Sequence, residues 1–141
     1  MTSPWLLIVE DDADVRDAMA AALRDHGHEV VALADAAEAL QLLSEARLPS
    51  AVILDLGLPG MSGLELLERV DEIPDASKIR IVVVTGLDVT AEELAFASVH
   101  AVLNKPVPVE RLLAVLGEIV EGVEAPTPSA GTRVRRNHRL R

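Results

Sequence analysis

The residues best suited to chemistry are few and spread along the chain. Three acids run together as Glu10-Asp11-Asp12, a single Asp55 stands two residues ahead of Gly57, Thr85 precedes Gly86, and Lys105 precedes Pro106. Three or four carboxylates gathered at one place repel one another unless a cation lies among them, and hard oxygen ligands favour Mg²⁺ or Ca²⁺. Mg²⁺ takes one or two carboxylates, keeps waters and shares a substrate phosphate, which suits an open loop better than a Ca²⁺ cage does; no EF-hand spacing occurs. Lys105 supplies a point charge for a phosphate oxygen, Thr85 a hydroxyl donor, and Gly86 room for a close backbone approach. Such a set suits phosphoryl transfer, which needs mainly positioning and charge neutralisation, and in which a carboxylate can itself be the acceptor. The absence of cysteine excludes a thiol nucleophile, a thiolate metal site and a disulfide framework.

For residues so far apart to meet, the chain must bring several loops to one edge. Short apolar runs at 5–9, 29–33, 51–54, 79–84 and 101–103 read as strands, with helical patterns between them. The first such pattern places Val15, Ala18, Met19, Ala22 and Leu23 on one stripe. Capping-box spacing marks three further helix starts, Asp35 with Glu38, Ser62 with Glu65 and Thr90 with Glu93. The last helix opens near Pro108 and carries Leu112, Val115, Leu116, Ile119 and Val123 on one side. Continuous Val, Ile and Leu runs belong to strands buried on both faces, hence to a parallel sheet covered by helices on both sides. Five such units make either an open doubly wound sheet or part of a barrel, and about 120 residues is too few for a barrel, so the sequence predicts a doubly wound α/β sheet. Its working site lies outside the carboxyl ends of the strands. There the first strand offers Glu10 to Asp12, the third Asp55, the fourth Thr85-Gly86 and the fifth Asn104-Lys105-Pro106; the second, ending at Leu33-Ala34, offers nothing.

The 141 residues suffice for one domain, expected over 1–121, and a short tail over 122–141. That tail holds Pro126, Pro128 and five arginines and has too little apolar surface to offset its ordering entropy, so disorder is expected there. It is also too short for an output module such as a helix-turn-helix. Eight basic against 23 acidic residues give 1–131 a charge of −15, while 132–141 carry +5. A body that acidic repels nucleic acid, which leaves only the tail as a candidate for such binding. No run approaches a membrane span and the first ten residues lack a signal-peptide pattern, so a cytoplasmic protein is expected. Trp5 and Phe96 are the only aromatics, and His26, His28 and His100 are expected on surfaces or loop edges.

Four segments, Ile8-Val9-Glu10-Asp11-Asp12, Asp55 through Leu58-Pro59-Gly60-Met61-Ser62-Gly63-Leu64-Glu65, Thr85-Gly86 and Lys105-Pro106, resemble the signature of response-regulator receiver domains. The likeness runs from about Trp5 to Val120. It implies a flavodoxin-like parallel sheet of strand order 2-1-3-4-5 and a cis bond between Lys105 and Pro106. It makes Asp55 the phosphoacceptor and assigns Mg²⁺ to Glu10, Asp11, Asp55 and the Gly57 carbonyl, with Thr85 sensing and Lys105 contacting the phosphoryl group; Asp12 is the odd acid out. The implied donor is a histidine kinase or histidine phosphotransfer protein, and the implied role is regulatory rather than enzymatic. A downstream protein is expected on the face made by the fourth helix, the fifth strand and the fifth helix. That face departs from the family's habit: Val102 and Val107 stand where aromatics are common, and Ser98-Val99-His100 lacks the acids of many DNA-binding relatives. A monomer or weak homodimer is therefore expected. Gly57 and Leu87 offer no side chain to orient a water, which predicts slow self-dephosphorylation.

Rival readings are weaker. Asp11 or Asp12 alone equally suits a helix cap, and Asp55 alone a turn. An aspartyl-phosphate phosphatase needs a second acid two residues after its nucleophile, where this chain has Gly57. A flavodoxin-like cofactor binder would face phosphate with an acidic loop and almost no aromatics. A receiver-like interaction module that works without phosphate would show a damaged acidic pocket.

Overall fold

The computed structural model describes residues 5–45, 48–58, 60–75, 78–90 and 92–120. Five strands, β1 (Trp5–Val9), β2 (Glu29–Leu33), β3 (Ala51–Asp55), β4 (Arg80–Thr85) and β5 (Val99–Asn104), form one parallel sheet in the order β2-β1-β3-β4-β5. Among the described residues, four helices, α1 (Ala13–Asp25), α2 (Ala36–Glu45), α3 (Gly63–Val70) and α4 (Val109–Val120), cover its two faces. The doubly wound sheet and its strand order are thus as expected. The order reverses between β1 and β3, and the crevice at their carboxyl ends is the switch point where such sheets place their sites.

Strand alternation sorts the core into two layers. Trp5, Leu7 and Val9 of β1 face the side closed by Ala36, Ala39 and Leu43 of α2 and by Leu66, Leu67 and Val70 of α3. Leu6 and Ile8 face the other side, with Ala20 and Leu23 of α1 and Leu112, Val115 and Leu116 of α4. Strands β1 and β3 are buried along their whole length, as strands covered on both faces must be. The expected stripe on α1 is only partly buried: Val15, Ala18, Met19 and Ala22 line a groove of about 560 Å³ shared with Pro106, Val107, Val109 and Leu112. On α4, Ile119 is partly buried, and Val123 lies outside the described residues.

One expected helix is absent among the described residues. Thr90 and Glu93 do form the reciprocal box, Glu93 N–H donating to Thr90 Oγ1 at 3.1 Å and Thr90 N–H to Glu93 Oε1 at 2.8 Å. Only turns follow among the described residues, because β5 begins at Val99, two residues earlier than the apolar run suggested. Leu94 sinks into the core and Phe96 packs on it, so the few residues left are committed to apolar anchors two apart, a spacing no helix serves. A capping box starts a helix and cannot lengthen it. The face expected from a fourth helix, the fifth strand and the last helix is accordingly built from turns, β5 and α4. His100 also corrects an expectation. It is buried on β5, beside the irregularity between Ile81 and Val82 of β4, with Nε2 3.3 Å from Glu118 Oε1 on α4. Residues 121–141, which include the expected tail, lie outside the described residues.

Candidate acidic phosphoacceptor site

Each element delivers one part of the site. The sheet ladder extends one residue past β1, since Glu10 N–H donates to Leu33 O at 3.0 Å. That bond holds the Glu10 side chain against the crevice, where it is 2% exposed. Asp11 follows in the open. Asp12 then caps α1: its Oδ1 accepts from Asp14 N–H at 3.0 Å and from Val15 N–H at 3.1 Å. The acid left without a role by the resemblance is therefore the helix cap.

Asp55 ends β3 and is 7% exposed. Its Oδ1 accepts from Gly57 N–H at 3.0 Å and its Oδ2 from Lys105 Nζ at 3.2 Å. The loop that follows turns at Gly60 with φ of 72°, a left-handed conformation that glycine adopts readily. It delivers Ser62 as cap of α3, whose Oγ accepts from Glu65 N–H at 3.1 Å. Gly63 then passes so close to the Asp55 loop that a Cβ there would lie 2.7 Å from Leu56 Cα and 3.0 Å from Asp55 O. Spacing alone assigns Gly63 no role. Its signal was a glycine directly after a cap, where a better helix former was open to choice.

Thr85 is fully buried at the end of β4. Its Oγ1 accepts from Leu87 N–H at 2.8 Å, which leaves the hydroxyl proton for another acceptor. Its carbonyl accepts from Lys105 N–H at 2.9 Å, so backbone ties the Thr85 and Lys105 loops together. The Lys105–Pro106 bond is cis, as the resemblance implies.

The ligand oxygens of Glu10, Asp11 and Asp55 all lie within 4.8 Å of one another. Lys105 Nζ stands 3.2 Å from Glu10 Oε1 and 3.2 Å from Asp55 Oδ2. The ammonium is within ion-pair range of Glu10, yet the buried Oε1 accepts no well-directed hydrogen bond among the described residues. The contact is an ion pair that favours the charged form of both groups. Burial raises the Glu10 carboxyl above the usual carboxylate range and the Asp55 neighbour raises it further, against the opposing Asp12 amide and Lys105. Burial would lower Lys105, but its two carboxylate partners outweigh that and hold its pKa above the usual lysine value. A buried oxygen short of donors, beside two further carboxylates, is a donor set that fits a hard divalent cation such as Mg²⁺.

Residues 6–117 match the response regulator receiver domain family. The chain belongs to the response regulator receiver family. It is similar to the two-component response regulator PhoP of Pseudomonas aeruginosa, 38% identical over 115 residues, which span 82% of this chain and 51% of that protein. It is also similar to response regulator MprA of Mycobacterium sp. (strain KMS), 35% identical over 77% of this chain and 47% of that protein. The chain thus spans about half the length of these curated relatives. Among solved structures, a CheY-like receiver domain protein from Methanospirillum hungatei superposes with a TM-score of 0.74 at 28% identity, covering 86% of this chain and 97% of that one. A response regulator structure from Chloroflexus aurantiacus gives 0.74 at 32% identity, covering 85% and 99%. Among the described residues, no helix of this receiver is long and apolar enough to cross a membrane.

Proposed function

We propose that this receiver is a phosphoryl-accepting switch in which Asp55 takes a phosphoryl group from a phosphohistidine donor, a histidine kinase or histidine phosphotransfer protein. The observation that carries this reading is the single ammonium of Lys105 standing 3.2 Å from both Asp55 and Glu10, with Asp11 completing the acidic cluster. Glu10, Asp11 and Asp55, with the Gly57 carbonyl, are the groups that would hold Mg²⁺, which when bound would neutralise charge between acceptor and phosphoryl oxygens. An Asp55 carboxylate oxygen attacks phosphorus, an O–P bond forms, the N–P bond of the donor breaks, and the imidazole leaves with the bonding pair. The Gly57 amide holds Asp55 Oδ1 and so leaves Oδ2, the oxygen facing Lys105, as the natural nucleophile. Lys105 then contacts the new phosphoryl group and the free hydroxyl proton of Thr85 donates to it. Thr85 ends β4, Lys105 follows β5, and a backbone bond joins them, so the pull of the phosphoryl group on both biases the turns after β4 and the start of α4 together.

A coupling of about 1–3 kcal/mol would change partner affinity roughly five- to 150-fold. With Val102 in place of an aromatic and turns in place of a fourth helix, output runs through altered docking of a downstream protein on the face of β5, α4 and those turns. The regulatory domain would span 1–121 and act as a monomer or weak homodimer, with no hydrolytic turnover beyond slow loss of its own phosphoryl group. A receiver-like module that works without phosphate is less favoured, because the pocket is chemically complete. Incubation with acetyl phosphate and Mg²⁺ tests the reading: the parent chain incorporates phosphate and Asp55→Ala does not. Equal incorporation in both would refute it.

A further inference from the structure

Arg16 is the fourth residue of α1, where a cation is unfavourable because the unsatisfied amides of a helix start carry partial positive charge. By helical periodicity it belongs with Asp14 and Asp17 on the polar side, which reads as a solvated position. The side chain turns back instead. Its Nη1 donates to Glu10 O at 3.0 Å and reaches Asp11 O at 3.5 Å. Helical side chains lean toward the N-terminus, so the acidic loop lies within its span.

The two carbonyls bracket the backbone that aims the acidic side chains. Glu10 has other restraints: burial, the Leu33 bond to its amide, the Asp12 amide 3.2 Å from its Oε2, and Lys105. Asp11 has none of these. It is exposed, and its carboxylate makes no hydrogen bond or ion pair among the described residues. Where Asp11 points therefore depends on its backbone, which two side chains hold: Glu10 Oε2 accepts from the Asp12 amide, and Arg16 donates to the carbonyls on either side of Asp11.

We infer that Arg16 is a positioning residue for the acidic site, its guanidinium clamping the Glu10–Asp11 backbone so that the Asp11 carboxylate stays aimed at the cluster with Glu10 and Asp55. The inference rests on the proposed function in taking that cluster as the seat of a divalent cation. If Arg16 acted only as a nearby positive charge, it would repel the cation, and its removal would tighten binding. A clamp gives the opposite sign.

The test is Mg²⁺ titration calorimetry on the full chain, on Arg16→Met, which keeps the stem without donors, and on Arg16→Lys, which keeps the charge and one donor group. Arg16→Met weakens Mg²⁺ binding about 10- to 100-fold, the range for removing a group that orients a metal ligand. Arg16→Lys recovers part of the loss. With acetyl phosphate, Arg16→Met raises the Mg²⁺ concentration for half-maximal incorporation by the same factor while the rate at saturating Mg²⁺ is kept. A merely structural role would lower the Mg²⁺-free melting temperature and the saturating rate together and leave the half-maximal concentration unmoved. Should Arg16→Met fail to fold, Arg16→Lys carries the test in two backgrounds: its effect on Mg²⁺ binding vanishes when Asp11→Asn is also present. Unchanged or tighter Mg²⁺ binding in Arg16→Met, or an effect of Arg16→Lys that persists with Asp11→Asn, overturns the inference. No Mg²⁺ uptake by the parent chain would instead overturn the proposed function beneath it.

Discussion

Replacing Lys105 with methionine removes the one ammonium between two buried carboxylates and keeps most of the side-chain volume. At the observed separations of 3.2 Å from Glu10 and 3.2 Å from Asp55, each attraction is about 5 kcal/mol at an effective dielectric constant of about 20. The lysine side chain is 31% exposed, so solvent screens both pairs. Its own desolvation and side-chain entropy offset them further, which leaves a net loss of about 1–3 kcal/mol for Lys105→Met. Added Mg²⁺ works in the opposite direction. Without its competitor in the pocket, the cation binds the variant more tightly, and by mass action its stabilising effect grows with the ratio of its concentration to its dissociation constant. Urea unfolding with and without Mg²⁺ measures both quantities. The account requires a lower midpoint than the parent in chelator and a larger Mg²⁺-induced shift than the parent shows. A variant as stable as the parent in chelator, with the same Mg²⁺ response, would refute the electrostatic reasoning. It would mean that the ammonium and the carboxylates are too well hydrated to matter to one another.

Three further outcomes are expected. Gly63→Ala forces a methyl to within 2.7 Å of Leu56 Cα, so backbone must move; urea unfolding records a loss of about 1–3 kcal/mol, and phosphate incorporation slows as the Asp55 loop shifts. The Glu10 carboxyl is raised above its usual 4.5, mainly by burial and then by Asp55, so the native state holds this proton more tightly than the unfolded chain does. Its charged form therefore costs stability at neutral pH, and that cost is relieved as pH falls through the raised native value toward the usual one. Proton and cation compete for the same oxygen, so the Mg²⁺-induced rise in melting temperature is largest at neutral pH and shrinks through that window; a rise that grows on acidification would contradict this. Lastly, the phosphorylated chain loses its label slowly, because Gly57 and the exposed Leu87 offer no group to orient water. Decay of labelled protein within seconds would show that another group does so.

How much of this was legible beforehand depended on what each signal measures. That Glu10, Asp11, Asp55, Thr85 and Lys105 gather at one sheet edge is legible because unusual side chains follow apolar runs, and in a parallel sheet the ends of such runs share an edge. Sequence alone leaves Asp12 ambiguous, since capping and ligation ask for the same residue type; the Asp14 and Val15 amides bonded to its side chain make it the cap. The segment 90–98 misled because Thr90 and Glu93 specify only a first turn, whereas helix length depends on where the next strand begins, and Val99 and His100 joined β5 through an irregular register. His100 looked peripheral by type but is inward beside Glu118. Val15, Ala18 and Ala22 carry a helix-period apolar pattern, yet periodicity does not reveal whether the neighbouring helix closes over the stripe; here α4 leaves a groove. Gly63 and Arg16 escaped for a related reason. A close backbone approach and a side chain folded onto carbonyls are properties of the tertiary arrangement and leave no spacing to read.

On the proposed function, phosphorylation turns the Asp55 carboxylate into an acyl phosphate. Treating the chain with acetyl phosphate and Mg²⁺, reducing the product with borohydride and sequencing its peptides by mass spectrometry reads that position directly, since an acyl phosphate is reduced to the alcohol while a free carboxylate is not. The account predicts Asp55 recovered as homoserine, dependent on Mg²⁺ and lost with chelator. Reduction at another acidic residue, or none at any, would contradict it.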